Sequence, residues 1–127
     1  MLEGNLYRLV SLETSDGATT AVVALDPSSV IYKAHFRGMP ITPGVCLVQI
    51  AVELASRVSG RTLTLTGAKD IKFLQPVLPG ELTEITYTLK PAASAGSKSG
   101  AFAPAAVWQV VVSGGEAVRA KMTLTLD

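Results

Sequence analysis

The stretch from Val45 to Val58 constrains the fold of this chain more than any other. Its apolar residues run nearly all the way round a helical cylinder, which is typical of a helix inside a protein. One thin polar line interrupts them at helical spacing: Gln49, Glu53 and Ser56. The hydroxyl of Thr42 can cap the helix, and Pro43 suits a first helical position. We therefore predict one buried helix that begins near Pro43 or Gly44 and ends at Ser59-Gly60, where glycine tolerates the left-handed conformation.

Most of the remaining chain has the alternation or β-branched content of strands. The predicted strands are 6–12, 19–25, 62–66, 69–74, 81–90, 105–113 and 117–126. Asp16-Gly17 predicts a turn between the first two, and Gly114-Gly115 predicts one between the last two. The small, proline-bounded segment 91–104 is interpreted as a long mobile connection between two strands. The expected fold class is α+β, an antiparallel sheet of about six strands curled around one helix.

Length, charge and cysteine content restrict the functional classes. The chain has 127 residues, which we interpret as a single domain, 1–127. A net charge of +1 gives no reason to expect nucleic acid as a partner. The hydrophobic content is 48%, but no run of eighteen apolar residues predicts a membrane span, and the N-terminus does not resemble a signal peptide. With Cys46 as the single cysteine, no internal disulfide forms, and cytoplasmic localisation is the default expectation.

Two motifs resemble a known family. The first is His35-Phe-Arg-Gly-Met-Pro-Ile-Thr-Pro-Gly44 before the helix, and the second is Ile71-Lys-Phe-Leu-Gln-Pro-Val-Leu-Pro-Gly-Glu81 after it. Both are similar, in order and separation, to motifs of the 3-hydroxyacyl-[acyl-carrier-protein] dehydratases of fatty acid synthesis. The resemblance covers the chain from about Asp26 to the C-terminus. It implies a hotdog fold, with a sheet wrapped around a long central helix, in a dimer whose active sites lie at the subunit interface.

The resemblance also implies a mechanism. His35 would be the base that removes the α-proton of a 3-hydroxyacyl thioester, and backbone N–H groups near the helix start would hold the thioester carbonyl. The residue types fit these roles, because a histidine titrates near neutral pH and an N–H of Gly44 at a helix N-terminus can stabilise an enolate oxygen. Gly44 also lacks a Cβ, which permits close approach of a substrate.

The chain departs from the family at Gln49, fourteen residues after His35, where the family has a carboxylate. An amide cannot act as an acid, so Gln49 would orient a water or the β-hydroxyl group, while one imidazole carries the proton to the leaving hydroxyl. The alternative for Gln49 is a hydrogen bond across the dimer interface. Glu53 lies on the same face, where one interpretation is that it acts through water, but an ion pair with Arg57 is the simpler interpretation.

Further residues follow from the same resemblance. Substrate contacts are expected at Phe36, Pro43, Val45 and Glu53. A docking patch for an acidic carrier protein is expected from Lys33, Arg37, Lys69 and Lys72, with ordinary solvated charge as the alternative. Cys46 is interpreted as a small core residue and Trp108 as core or acyl-pocket wall. One histidine and one cysteine cannot build a closed metal site, so no metal is expected.

Three functions remain open at this point. The first is dehydration of 3-hydroxyacyl thioesters, with the substrate carried on the 4'-phosphopantetheine of acyl carrier protein or on coenzyme A and with no other cofactor. The second is hydrolysis of acyl thioesters, which other hotdog proteins perform. The third is a non-catalytic subunit that binds acyl chains or completes a heterodimer with an intact dehydratase. The form of the histidine loop favours the first function, in a homodimer that can assemble further.

Overall fold

The computed structural model describes residues 2–15, 17–26, 29, 42, 44–78, 84–92 and 106–127. Within them the chain forms six strands and one helix. The elements are β1 (Tyr7–Ser15), β2 (Ala18–Leu25), α1 (Gly44–Ser59), β3 (Leu65–Phe73), β4 (Glu84–Ala92), β5 (Ala106–Gly114) and β6 (Ala117–Leu126). The strands make a single antiparallel sheet in the order β1-β2-β4-β5-β6-β3. The predicted α+β class is confirmed.

The helix is buried, as its sequence indicates. It begins at Gly44, and nine of its residues between Cys46 and Ala55 are buried. A hydrogen bond ties it to the sheet, because the hydroxyl of Tyr87 in β4 donates to the carbonyl oxygen of Leu47 over 2.8 Å. The helix ends as predicted: Gly60 has a φ of +73° and donates its N–H to the carbonyl oxygen of Ser56.

The strands place alternate residues in the core. In β4, Ile85, Tyr87 and Leu89 are fully buried while Glu84 is exposed, which confirms the predicted faces of this strand. The sheet and the apolar side chains of α1 share one hydrophobic cluster. The helix is therefore held by burial along most of its length, and its position relative to β4 is fixed by the Tyr87 bond.

The two predicted hairpins form, and one of them differs in register. Ser15 pairs with Ala18, and Gly17 has a φ of +78°, in agreement with the predicted Asp-Gly turn. In the second hairpin Gly114 pairs with Ala117, so the central turn residues are Gly115 and Glu116, with φ of +58° and +66°. The prediction of Gly114-Gly115 was wrong by one residue, because the strand register requires the left-handed conformation at Glu116.

The middle of the chain holds one strand where two were predicted. Residues 62–64 form no strand, and β3 runs from Leu65 to Phe73 against β6. A bulge between Lys69 and Lys72, with Asp70 at a φ of +54°, interrupts its pairing. Most of the predicted connection 91–104 and the first three residues of the predicted strand 81–90 lie outside the described residues. No helix in the described part of the chain is long and apolar enough to cross a membrane.

Candidate functional site

A cleft opens beside the N-terminus of α1, and we call it the helix-start cleft. It has a volume of about 360 Å³ and is lined by Thr42, Gly44, Leu47 and residues 73–77. The first N–H groups of any α-helix have no intrahelical acceptor, and the helix dipole is positive at this end. The cleft therefore brings an open cavity to a place where backbone N–H groups favour an anionic oxygen.

The ring of Phe73 lies against Gly44 at the rim of this cleft. A Cβ added to Gly44 would lie 2.6 Å from Cζ and 2.8 Å from Cε2 of Phe73, too close for any real contact. From the sequence we expected Gly44 to permit the approach of a substrate, whereas the close neighbour in the structure is this ring. Because Phe73 is 53% exposed, its ring is free to move outward. Phe73 thus covers the helix start without being locked into the core.

Arg119 holds the outer wall of the helix-start cleft. Its guanidinium donates from Nη1 to the carbonyl oxygen of Pro76 over 3.1 Å and to Oε1 of Gln75 over 3.3 Å, and from Nε to Gly114 over 3.0 Å. Its own carbonyl oxygen accepts the N–H groups of Leu74 and Gln75. Arg119 was not predicted from the sequence, since an arginine inside a strand gives no sign that it will bind a distant proline-rich segment.

The wall of the helix-start cleft is also hydrogen-bonded to the segment that precedes α1. The N–H of Thr42 donates to the carbonyl oxygen of Val77 over 2.8 Å, and the residue is 4% exposed. This bond fixes the spacing between residues 73–77 and the start of α1. The cap that we predicted from the Thr42 hydroxyl stays a prediction.

A second polar group lies about two and a half turns further along the helix, around the carboxylate of Glu53. Oε1 of Glu53 accepts the Tyr7 hydroxyl over 2.9 Å and the N–H of Glu3 over 3.1 Å. Oε2 accepts the N–H of Leu2 over 2.8 Å and Nε2 of Gln49 over 3.0 Å. We call these five residues the Glu53 cluster. Glu53 is 7% exposed and its carboxylate holds four donors, so it joins the N-terminal segment to the helix.

The electrostatics of the Glu53 cluster fix two protonation states. Burial raises the pKa of Glu53, but the hydrogen bonds from Leu2, Gln49, Tyr7 and Glu3 together outweigh it, and the pKa falls below its ordinary value. Burial and the neighbouring charge of Glu53 raise the pKa of Tyr7 well above its usual range. At neutral pH the carboxylate is therefore ionised and the phenol protonated.

The predicted ion pair between Glu53 and Arg57 was wrong. Nη2 of Arg57 lies 2.6 Å from both carboxylate oxygens of Glu3. The reason is that Glu53 points inward, where its lone pairs are already taken by the four donors of its cluster. The spacing of four residues allowed the pair, but burial of Glu53 and exposure of Arg57 separated them.

The predicted site residues fall into two groups. Five lie outside the described residues: Lys33, His35, Phe36, Arg37 and Pro43. The approach of His35 to Gly44 therefore stays a prediction. Among the others, Gly44 lines the helix-start cleft, and Gln49 is exposed with its amide bound to Glu53. Val45 is 73% exposed, and Lys69 and Lys72 are exposed on β3.

Two further predictions concern buried side chains. Cys46 is 8% exposed, and burial raises the pKa of its thiol, which confirms a core residue rather than an activated nucleophile. Trp108 is 4% exposed within the sheet, as expected of a core position. Its indole Nε1 is buried without an acceptor among the residues that the structure describes.

Comparison with known proteins decides the family. The model of the ApeI-like family, described as ApeI dehydratase, matches residues 11–114. This chain belongs to that dehydratase family. Membership in the ApeI-like family agrees with the resemblance found in the motifs. Curated relatives of this chain carry the name 3-hydroxyacyl-[acyl-carrier-protein] dehydratase FabZ. The relative from Chlamydia trachomatis serovar D is 27% identical over 86% of this chain and 76% of its own length. The relative from Latilactobacillus sakei is 31% identical over 50% of each chain.

Several of these curated relatives are matched over only part of their length. The chain spans about half the length of the relatives from Latilactobacillus sakei and Rhizorhabdus wittichii, at 50% of each. Their activities and partners therefore enter only as proposals for this ApeI-like member.

Solved structures agree with the predicted fold. The dehydratase heterocomplex ApeI:P from Xenorhabdus doucetiae is similar with a TM-score of 0.74 and 15% identity, covering 94% of this chain and 96% of that one. A thioesterase from Haemophilus influenzae is similar with a TM-score of 0.63 and 16% identity, covering 94% and 76%. Together with the six-stranded sheet and its single long helix, these likenesses confirm the hotdog fold of the ApeI-like chain.

Proposed function

We propose that this ApeI-like chain removes water from 3-hydroxyacyl thioesters and yields trans-2-enoyl thioesters. The substrate would be carried on the 4'-phosphopantetheine of acyl carrier protein or on coenzyme A. The observation that supports this best is the helix-start cleft, with Gly44 on its rim at the N-terminus of a buried helix. With the Phe73 ring turned outward, a thioester carbonyl placed there would meet backbone N–H groups where the negative charge of an enolate develops.

The reaction balances with one imidazole. His35 takes the proton from C2 of the substrate, and the electron pair of the broken C–H bond moves toward the thioester carbonyl, whose oxygen is stabilised near Gly44. The pair then forms the C2=C3 double bond as the C3–O bond breaks. The imidazolium returns its proton to the departing hydroxyl group, and water leaves. No second acid is needed, which suits a chain with Gln49 at the position of the family's carboxylate.

The assembly belongs to the proposal as well. A homodimer would place His35 of one protomer near the helix-start cleft of its partner. Lys69 and Lys72 lie exposed on the outer strand β3 and, with Lys33 and Arg37, would attract an acidic carrier protein. Substrate contacts from Phe36, Pro43 and Val45 complete this arrangement.

The direct test is dehydration of a 3-hydroxyacyl thioester of N-acetylcysteamine. We expect the absorbance of the conjugated enoyl thioester to appear with the purified chain, and water to add back to an enoyl thioester in the reverse direction. Release of free thiol from a saturated acyl thioester, without any enoyl product from the 3-hydroxyacyl thioester, would contradict dehydration and indicate thioester hydrolysis instead.

Substitution of Gly44 tests the role of the helix start. We expect Gly44→Ala to lower kcat/KM about tenfold or more, because the methyl group enters the space that the carbonyl would use. The fold should tolerate the change, since the half-exposed Phe73 ring can move aside and alanine favours helix over glycine. Thermal unfolding checks the fold.

The double variant Gly44→Ala/Phe73→Ala separates two explanations. It removes the contact between the methyl group and the ring but keeps the methyl group at the helix start. We expect the loss of activity to persist. Full activity in the double variant would mean that the displaced ring caused the loss and that no substrate approaches Gly44.

Restoring the family's carboxylate gives a further prediction. We expect Gln49→Glu to lower dehydration several-fold at neutral pH relative to wild type, because the new carboxylate would face the ionised Glu53 at 3.0 Å in place of an amide donor. Protonation at lower pH relieves this repulsion, so the ratio of variant to wild-type rate should rise as pH falls. A rate of dehydration above that of wild type at neutral pH would mean that Gln49 occupies the position of a catalytic acid that this chain has lost.

The heterocomplex likeness supports a second candidate function. The fold neighbour with the TM-score of 0.74 is a dehydratase heterocomplex, so a helper subunit paired with an intact dehydratase fits the same fold. This role would be favoured if the purified chain shows neither dehydration nor thiol release and a co-expressed related subunit restores activity. The structural likeness to the Haemophilus influenzae thioesterase supports the alternative function, hydrolysis of acyl thioesters.

A further inference from the structure

The direction of the Gln49 amide follows from its neighbours. The N–H groups of Leu2 and Glu3 can only donate, and the Tyr7 phenol donates to the same carboxylate. Glu53 is thus an acceptor at both oxygens, and the Gln49 atom 3.0 Å from Oε2 must be the NH₂ nitrogen. Chemistry, rather than the shape of the side chain, decides which way this amide points.

The other end of the amide is then the carbonyl oxygen. Oε1 of Gln49 accepts no hydrogen bond from another described residue, and the side chain is exposed although the helix around it is buried. Gln49 therefore has its carbonyl oxygen free as an acceptor, while one of the two NH₂ protons is held by Glu53. A family carboxylic acid at this position would present a donor when protonated.

We propose that Glu53 is a positioning residue, which holds the Gln49 amide so that its Oε1 accepts a hydrogen bond from the 3-hydroxyl group of the substrate. This inference rests on the proposed dehydration. The hydroxyl then donates a hydrogen bond to Gln49 but keeps its proton, and it turns an oxygen lone pair toward the imidazolium of His35, whose proton completes the departing water. Glu53 itself does not touch the substrate, since its lone pairs hold the four donors of its cluster.

Glu53→Gln is the decisive variant. The oxygen of the new amide takes the place of Oε1, where it accepts from Tyr7 and Glu3, and its NH₂ group takes the place of Oε2 beside Gln49, where the N–H of Leu2 loses its acceptor. Gln49 then has to present its oxygen to position 53 and its NH₂ group to the substrate. We expect kcat for the N-acetylcysteamine thioester to fall about tenfold, with a smaller change in KM, because an acceptor has been replaced by a donor.

Two controls distinguish positioning from loss of structure. Tyr7→Phe removes a donor to Glu53 but leaves the Gln49 contact, so it should lower stability while kcat stays within about twofold of wild type. In a Gln49→Leu background, Glu53→Gln should cause no further fall in kcat, since the amide it redirects is gone. An equal fall in both backgrounds would overturn the proposal and leave Glu53 a purely structural residue.

A measurement on the wild-type chain keeps the inference independent of activity and of the folding of the variants. The side-chain NH₂ resonances of Gln49 should exchange slowly with solvent, because Glu53 holds one of the two protons. Exchange as fast as that of the exposed Gln109 would refute the assigned direction. If the NH₂ group is protected but no dehydration occurs, the proposed function fails and the substrate role of Gln49 falls with it, while the Gln49–Glu53 geometry stands.

Discussion

His35→Ala is expected to lower the turnover of 3-hydroxyacyl thioester by about 10²–10⁴-fold, the range typical of a lost general acid–base group. The effect should be larger here than in an enzyme with a second acid, because in the proposed mechanism the same imidazole takes the C2 proton and returns it to the hydroxyl. The readout is the rate at which enoyl absorbance appears, at saturating substrate. Imidazole added to the buffer should restore part of the rate.

The control for this experiment is Glu13→Ala, an exposed charge on β1 outside the proposed site. It should leave the rate unchanged, and both variants should unfold at the temperature of the wild-type chain. An unaltered rate in folded His35→Ala would exclude the mechanism, whatever product the chain forms.

Glu53→Leu is expected to cost about 2–4 kcal/mol of unfolding free energy. The substitution keeps the side-chain volume similar but removes the acceptor of the Tyr7 hydroxyl, and Tyr7 is only 2% exposed. The N–H groups of Leu2 and Glu3 lose the same acceptor, although they are partly open to water. Urea unfolding at matched protein concentration measures the loss. Tyr7→Phe, which removes one donor, should cost about 1 kcal/mol.

The same carboxylate predicts a pH dependence. The pKa of Glu53 is lower in the folded chain than in the unfolded one, so its ionised form stabilises the fold. This contribution is present above the unfolded pKa of about 4.3 and is lost as pH falls through the lower folded value. The difference in unfolding free energy between wild type and Glu53→Leu should therefore shrink in acid. A difference that stays constant down to about pH 2 would show that the carboxylate charge contributes nothing.

The predictions that the structure confirmed share one property: each depended on residues near one another in the sequence. The helix from Gly44, its burial and its end at Gly60 followed from a local apolar pattern and a local glycine. The faces of β4 followed from strict alternation. The second hairpin shows the limit, because the Gly-Gly pair located the turn, but the pairing of Gly114 with Ala117 shifted it onto Glu116.

The predictions that failed, and the residues that were missed, depended on distant partners. Arg57 has Glu53 as a neighbour four residues away but Glu3 as its partner. Arg119 supports residues more than forty positions earlier. Helical spacing describes what two side chains can reach, whereas burial and competition among donors decide what they bind.

The sequence by itself determined the hotdog family, the buried helix and the positions of His35, Gly44 and Gln49 along the chain, because motif order and apolar periodicity are properties of a linear polymer. Only the tertiary structure decided that Phe73 covers Gly44 and that Glu53 faces the N-terminal segment. It also decided which end of the Gln49 amide is free. The physical reason is that a buried carboxylate must collect donors from wherever the fold brings them, and here three of its four donors lie more than forty residues away along the chain.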